Sequence, residues 1–219
     1  MSSWEHDTLH AALERHGLEL PAAQIEPLAR FAQLLWDWNR RLNLTRHTDW
    51  ERFVTRDVVD SLQLSPLLPP GSEVLDVGTG GGVPGVILAI LREDLEISLC
   101  DSVGKKARAV DALVRELGLH IPVHAERAER LLEDLRFDVL VTRAVGPLWK
   151  ICKWFQPHWN DFDCLLAVKG PGWIAERAAA RERGLLQSVQ LRCIVRYPMP
   201  GTESHSVILR LASRPLGED

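Results

Sequence analysis

Between residues 73 and 85 the chain reads Glu-Val-Leu-Asp-Val-Gly-Thr-Gly-Gly-Gly-Val-Pro-Gly, an apolar run that ends at a carboxylate and passes into a turn crowded with glycine. Val74, Leu75 and Val77 have the make-up of a buried strand. Gly78, Gly80, Gly81 and Gly82 let the main chain take positive φ and approach a ligand with no Cβ in the way. Pro84 suits the first turn of a helix, where its missing N–H loses no partner, and Val86 to Leu91 continues that helix. A strand, a bare loop and a helix in this order open an α/β fold that carries its ligand at the loop.

The rest of the chain supplies the other layers. Residues 8–16 and 24–38 read as helices, the second with Ile25, Leu28, Leu35 and Trp38 at three- and four-residue spacings, and a third amphipathic helix runs over 51–64 to Pro66. Strands at 73–77, 96–100, 121–125, 137–142 and 163–168 then alternate with helices at 84–92, 105–117, 127–134 and 147–155. That alternation predicts a doubly wound, mostly parallel sheet. Two final strands, 188–196 and 206–211, are joined through Tyr197-Pro198-Met199-Pro200-Gly201 and predict an antiparallel hairpin at one edge. The expected architecture is a seven-stranded α/β sheet over 67–219 with a helical cap over 1–66, together forming one structural unit.

With 219 residues, 46% of them hydrophobic, the chain suffices for one well-buried core and not for two full domains. A net charge of −4 argues against indiscriminate nucleic-acid binding but leaves local basic groups: Arg40, Arg41 and Arg46; Lys105, Lys106 and Arg108; Arg177, Arg181 and Arg183. Lys105 and Lys106 start a helix on the sheet edge that also carries the glycine loop, where a substrate has to arrive. Cys100, Cys152, Cys164 and Cys193 are widely spaced and read as reduced core residues of a cytoplasmic protein. The eight histidines show no metal-ligand spacing, so no metal is expected. Neither a signal peptide nor an apolar run of about 20 residues stands out, so a soluble monomer away from the membrane is expected.

Gly-rich loops after strands also serve dinucleotides, and the acidic residues decide between ligands. A dinucleotide sets its pyrophosphate on the helix N-terminus, where a carboxylate such as Asp76 would repel it. S-adenosylmethionine has no phosphate and carries a sulfonium and an ammonium, which an acidic strand end accepts directly or through water. Asp101 ends the next apolar stretch, Ile97-Ser98-Leu99-Cys100, where a carboxylate can accept hydrogen bonds from both hydroxyls of a ribose. The residues therefore favour S-adenosylmethionine over a nicotinamide dinucleotide.

The order of several motifs goes further. Trp38-Asn39-Arg40-Arg41-Leu42-Asn43-Leu44-Thr45, Arg56-Asp57-Val58-Val59-Asp60-Ser61-Leu62, Asp76 to Gly85, Asp101-Ser102-Val103-Gly104-Lys105-Lys106, Arg127-Ala128-Glu129, Thr142-Arg143-Ala144 and Val168-Lys169-Gly170 follow one another over residues 24–210. In this the chain resembles the glucose-inhibited division B family of class I S-adenosylmethionine-dependent methyltransferases, which modify a guanine of small-subunit (16S) ribosomal RNA at N7. The resemblance implies that Gly78 and Val83 hold the methionine and adenosine parts of the cofactor. It further implies that Asp101 and Ser102 lie by the ribose, Ala128 and Glu129 by the adenine, and Arg143 in the same pocket. Asp76, Gly80 and Gly82 complete the expected cofactor set. The chain departs from the family pattern at Asp57, where histidine is usual, at Ser204, where arginine is common, and at Ser206, where an apolar residue is.

Guanine N7 has a free lone pair at neutral pH, so methyl transfer to it calls for alignment and not for a general base. Asn39, Asn43, Lys105, Lys106 and Lys169 are the candidate substrate-binding residues, with Arg143 and Lys169 as donors to guanine O6 or a phosphate. Helix capping is an equal reading for the two asparagines. Trp36, Trp38, Trp149 and Trp154 are candidates for stacking on a flipped base, although Trp36 and Trp38 also suit a core. Three alternatives stay open at this stage: the same cofactor with another RNA or a small molecule as acceptor, an inactive module that senses the cofactor, and, last, a dinucleotide oxidoreductase.

Overall fold

The period of two along the strands decides how the layers stack. The computed structural model describes residues 8–213; positions 1–7 and 214–219 of the two expected segments lie outside the described residues. Five strands run parallel: β1 (Glu73–Val77), β2 (Glu96–Cys100), β3 (Val123–His124), β4 (Val139–Arg143) and β5 (Cys164–Lys169). The last two, β6 (Val189–Pro198) and β7 (His205–Ser213), form the antiparallel hairpin, and the sheet order is β3-β2-β1-β4-β5-β7-β6. The hairpin inserts by its second strand, so β7 lies between β5 and β6.

Val74, Val139, Val141, Leu166 and Val168 point to one face of the sheet. That face is covered by α1 (Leu9–Arg15), α2 (Ala22–Asn39), α4 (Val59–Leu64), α5 (Gly85–Leu91) and α6 (Gly104–Glu116), with Phe31 and Phe53 fully buried among them. Leu75, Val77, Leu140, Leu165 and Ala167 point to the other face, against α7 (Ala128–Asp134), α8 (Leu148–Trp154) and the ring cluster Phe155, Trp159 and Phe162. The N-terminal helices thus share a core with the sheet instead of packing as a separate body. Among the described residues no helix is long and apolar enough to cross a membrane.

Four local features differ from the sequence reading. The helix expected over 51–64 is not uniform: α3 (Trp50–Arg52) continues through a π-helical stretch, Phe53–Val58, into α4. Such wide turns recur at functional sites, and this one carries Arg56 and Asp57. Helix α5 begins at Gly85, one residue after Pro84, whose bond to Val83 is cis. A helix not foreseen, α9 (Trp173–Glu182), lies between β5 and the hairpin; Ala180 is its one buried residue, so it carries little apolar periodicity. Cys193 is exposed on β6, whereas Cys100, Cys152 and Cys164 are buried, and all four are free.

Beyond β3, at one edge, the chain returns through α7 to lay β4 on the other side of β1. Such a reversal opens a crevice at the carboxyl ends of the strands, the usual ligand position in this class of sheet. The tight packing behind it rests on Gly85, where a Cβ would come within 2.2 Å of Leu99 Cδ2 and 2.8 Å of Asp76 Oδ2. Gly85→Ala is expected to cost about 1–3 kcal/mol by overpacking. Gly71→Ala, where nothing lies within 4 Å and only a φ of +73° opposes the change, should cost about 1–2 kcal/mol, the backbone penalty alone. Urea unfolding of the two variants measures the difference.

Candidate active site

The crevice is a cavity of about 1110 Å³ over the carboxyl ends of β1, β2 and β4. Its floor is the glycine loop. Gly78 has φ +67°, and a Cβ there would come within 2.4 Å of Val145 Cγ1 in the loop after β4, so the two loops close on each other only because the residue is glycine. Gly80 N donates to Asp101 Oδ2 at 3.0 Å and Val103 N donates to Asp101 Oδ1 at 2.8 Å, which fixes Asp101 as both wall and brace. Gly78, Gly80, Val83, Asp101, Ser102, Ala128, Glu129 and Arg143 all line the cavity.

Asp76 lies elsewhere. It shares the strand face of Val74, so its carboxylate points under the loop toward α5, where Oδ2 accepts from Thr79 Oγ1 at 2.6 Å and from Gly85 N at 2.9 Å. It is fully buried, its Oδ1 has no hydrogen-bond partner, and it does not line the cavity. Through these two bonds it fixes the shape of the turn. Gly82 is also off the wall, facing Phe31 and Val86.

The opposite flank is built on Arg143, which ends β4 on the same face as Val139 and Val141. Its Nη2 donates to Asp57 Oδ1 at 2.6 Å, and its Nη1 to Asp60 Oδ2 at 3.2 Å and to the Arg56 carbonyl at 3.3 Å. Tyr197 Oη on β6 donates to Asp60 Oδ1 at 2.7 Å. Burial alone would lower the Arg143 pKa, but the charges of Asp57 and Asp60 outweigh it and hold the guanidinium protonated. Burial raises the pKa of Asp60 against the pull of Arg143 and Tyr197. Asp57, the departure from the family motif, is therefore fully buried under the site and does not face an RNA.

The candidate substrate residues divide. Asn43, Lys106 and Lys169 line the cavity; Asn39 and Lys105 do not. Asn39 Oδ1 accepts from Leu44 N at 2.8 Å and Thr45 N at 3.0 Å, so it braces the segment that carries Asn43. Lys105 is exposed on the outer side of α6. Lys169 is already engaged: its Nζ donates to the Gly146 carbonyl and to Glu176 Oε2, and the same carboxylate oxygen accepts from Leu148 N at 2.8 Å. Of the four tryptophans, Trp154 reaches the cavity, Trp36 packs edge-on against Trp50, Trp38 packs on the core, and Trp149 lies beneath Arg183.

Sequence reasoning missed Thr45, His47, Arg56 and Asp60 as wall residues, and placed Arg46 only in a basic cluster. Their signal was present in the motifs around residues 38–45 and 56–62, but nothing local indicates that the two segments meet over β4.

Burial pushes the Asp76 carboxyl up to about 6, although the bonds from Thr79 and Gly85 pull it down. Between the unfolded value of 3.8 and about 6 the folded chain holds a proton that the unfolded chain has lost. Stability contributed at this position is thus full below the lower value and falls as pH rises to the upper, by about 3 kcal/mol in all. Asp76→Asn cannot titrate. The stability of the native chain minus that of the variant, from urea unfolding, should fall over that window and be flat above it.

The sequence profile described as rRNA small subunit methyltransferase G matches residues 24–200. Among curated relatives, the ribosomal RNA small subunit methyltransferase G of Rhodopirellula baltica is 53% identical over 188 residues, covering 86% of this chain and 81% of the relative. The protein of the same name from Chromobacterium violaceum is 35% identical over 210 residues, covering 93% and 98%. Among solved structures, a mutant of MtNAS in complex with S-adenosylmethionine superposes with a TM-score of 0.59 at 15% identity, over 95% of this chain and 86% of that one.

Proposed function

We propose that this chain, which belongs to the rRNA small subunit methyltransferase G family, moves the methyl group of S-adenosylmethionine to N7 of a guanine in small-subunit (16S) ribosomal RNA. The observation that carries the reading is the asymmetry of the crevice. On the β2–β3 flank stand the bare loop and two carboxylates, Asp101 and Glu129; on the β4 flank Arg46 and Arg56 line the cavity beside Arg143, whose own charge is met by Asp57 and Asp60. One side suits a cationic nucleoside with free hydroxyls, the other an electron-rich acceptor.

The residues present fit the cofactor. Gly78 and Gly80 line the cavity and carry no Cβ, so their main chain forms part of its wall. Each Asp101 oxygen accepts one main-chain bond and keeps a further lone pair, so the carboxylate remains able to take ribose hydroxyls. Ser102, Ala128 and Glu129 continue that wall toward the base, and Val83 closes it. A volume of about 1110 Å³ leaves room for an acceptor base beside the cofactor.

When bound, S-adenosylmethionine supplies a methyl carbon on a positively charged sulfur. Transfer to the lone pair of guanine N7 would leave the C–S electron pair on the sulfur and would move no proton, so no residue of the chain is needed as a base. The chain's own task is to hold the acceptor in line, which is worth about 7–11 kcal/mol relative to a dilute encounter. Arg143 is pinned by two carboxylates and cannot swing, and Asn43, Lys106, Arg46 and Arg56 ring the mouth through which RNA enters. Trp154 lines the cavity and is the aromatic side chain there against which an extruded base could stack. A formal charge of −4 on the whole chain suits a substrate met in an assembled particle in the cytoplasm more than free nucleic acid.

Label from S-adenosylmethionine should enter small subunits from cells lacking this methylation and map by mass to one guanine carrying the group at N7. Label in another nucleotide, or in no RNA, overturns the reading. Asp101→Ala should weaken S-adenosylmethionine binding in calorimetry about ten- to hundredfold, the worth of lost charge-assisted bonds.

A further inference from the structure

We infer that His47 contacts the acceptor nucleotide through Nε2. The inference rests on the proposed RNA methylation and adds to it a residue that fixes the substrate.

Every other polar atom of His47 is already committed. Its N donates to Thr45 Oγ1 at 3.0 Å, its carbonyl accepts from Trp36 Nε1 at 2.7 Å, and its ring Nδ1 is 2.8 Å from Asp57 Oδ1. Trp36 is itself wedged against Trp50 and Phe53, and Asn39 secures the chain just before, at Leu44 and Thr45. A half-buried loop residue held at three points, one of them a fully buried carboxylate, is preorganised at an ordering cost met in folding. The ring lines the cavity with its side chain 26% exposed, and Nε2 has no partner among the described residues.

Its position separates acceptor from cofactor. Asp57 Oδ1 bonds both His47 and Arg143, so the imidazole and the guanidinium are locked side by side on the β4 flank, away from Asp101 and Glu129. Arg46 and Arg56 line the same cavity, a setting suited to a phosphodiester. With Nδ1 donating to the carboxylate, Nε2 accepts in the neutral ring and donates in the charged one. Guanine and its phosphate offer a partner to either: N1–H and the 2-amino group to an acceptor, O6 and the phosphate oxygens to a donor.

The test is equilibrium binding of undermethylated small subunits to the full chain saturated with S-adenosylhomocysteine, with steady-state methyl transfer alongside. His47→Ala should raise the Kd and KM for subunits about tenfold or more, the worth of one lost hydrogen bond to a charged partner, and lower kcat by less. Its affinity for S-adenosylhomocysteine should stay within about twofold of the native chain. His47→Gln, which keeps a donor and an acceptor at the end of the side chain, should recover most of the loss. An alanine variant that binds subunits like the native chain overturns the inference. So does one that loses the cofactor product as much as the subunit, because the ring would then only brace the pocket. Subunits bound by the native chain but left unmethylated at guanine N7 would sink the proposed reaction, while the Kd comparison would still judge His47.

Discussion

One half-buried guanidinium ties together the flank of the crevice. Arg143 joins the end of β4 to the π-helical stretch through Asp57 and to α4 through Asp60, and Asp60 carries the linkage on to Tyr197 in the hairpin. Three parts of the chain distant in sequence, the 56–60 segment, the end of β4 and the hairpin, are therefore joined around a single cation. Two carboxylates against one guanidinium leave a negative surplus, which the neighbouring imidazole of His47 and the phenol of Tyr197 share. Such an arrangement adds little net stability over an apolar cluster of the same volume, but removing one member leaves an uncompensated buried charge, at a cost of about 3–5 kcal/mol. Its effect is geometric: it sets where the N-terminal cap sits over the sheet.

The same rule of alternation explains both the residues that reach the cavity and those that do not. Arg143 falls on the face of Val139 and Val141, toward the N-terminal helices, and so finds Asp57 and Asp60. Thr142, one residue earlier, points the other way and donates to the Val77 carbonyl. Asp76 is on the Val74 face and runs into the start of α5, whereas Asp101 follows the last residue of β2 and is free to turn over the loop. A carboxylate inside a strand is thus committed to a face, and one just past its end is free to address a ligand.

This explains what the amino-acid order reveals. The alternating strands and helices, the parallel sheet and the terminal hairpin follow from local periodicity, and each was legible at its place in the chain. The glycine loop and Asp101 were legible too, because glycine and a carboxylate at a strand end have few other uses in company. The π-helical stretch was not, since its wider turn answers to Arg143, 86 positions from Asp57. Helix α9 escaped because it rests on Ala180 and ion contacts such as Lys169 with Glu176 in place of an apolar stripe. His47 gave no local signal: a lone histidine in a polar loop gains meaning only from a partner ten positions on that is buried by the fold.

The contact between Gly78 and Val145 also bears on how such a chain can diverge. Because a Cβ at 78 would lie 2.4 Å from Val145 Cγ1, the two positions are not free to drift independently. A smaller side chain at 145 would have to precede any at 78, and even then a φ of +67° would penalise the second step. The loop after β4 and the glycine loop line the same cavity, so the size of one is coupled to the backbone of the other. The segment around residues 43–47 is tied to the same floor, because a Cβ at Gly81 would lie 3.3 Å from the Leu44 carbonyl oxygen, so neither wall of the crevice can change without regard to the glycine loop.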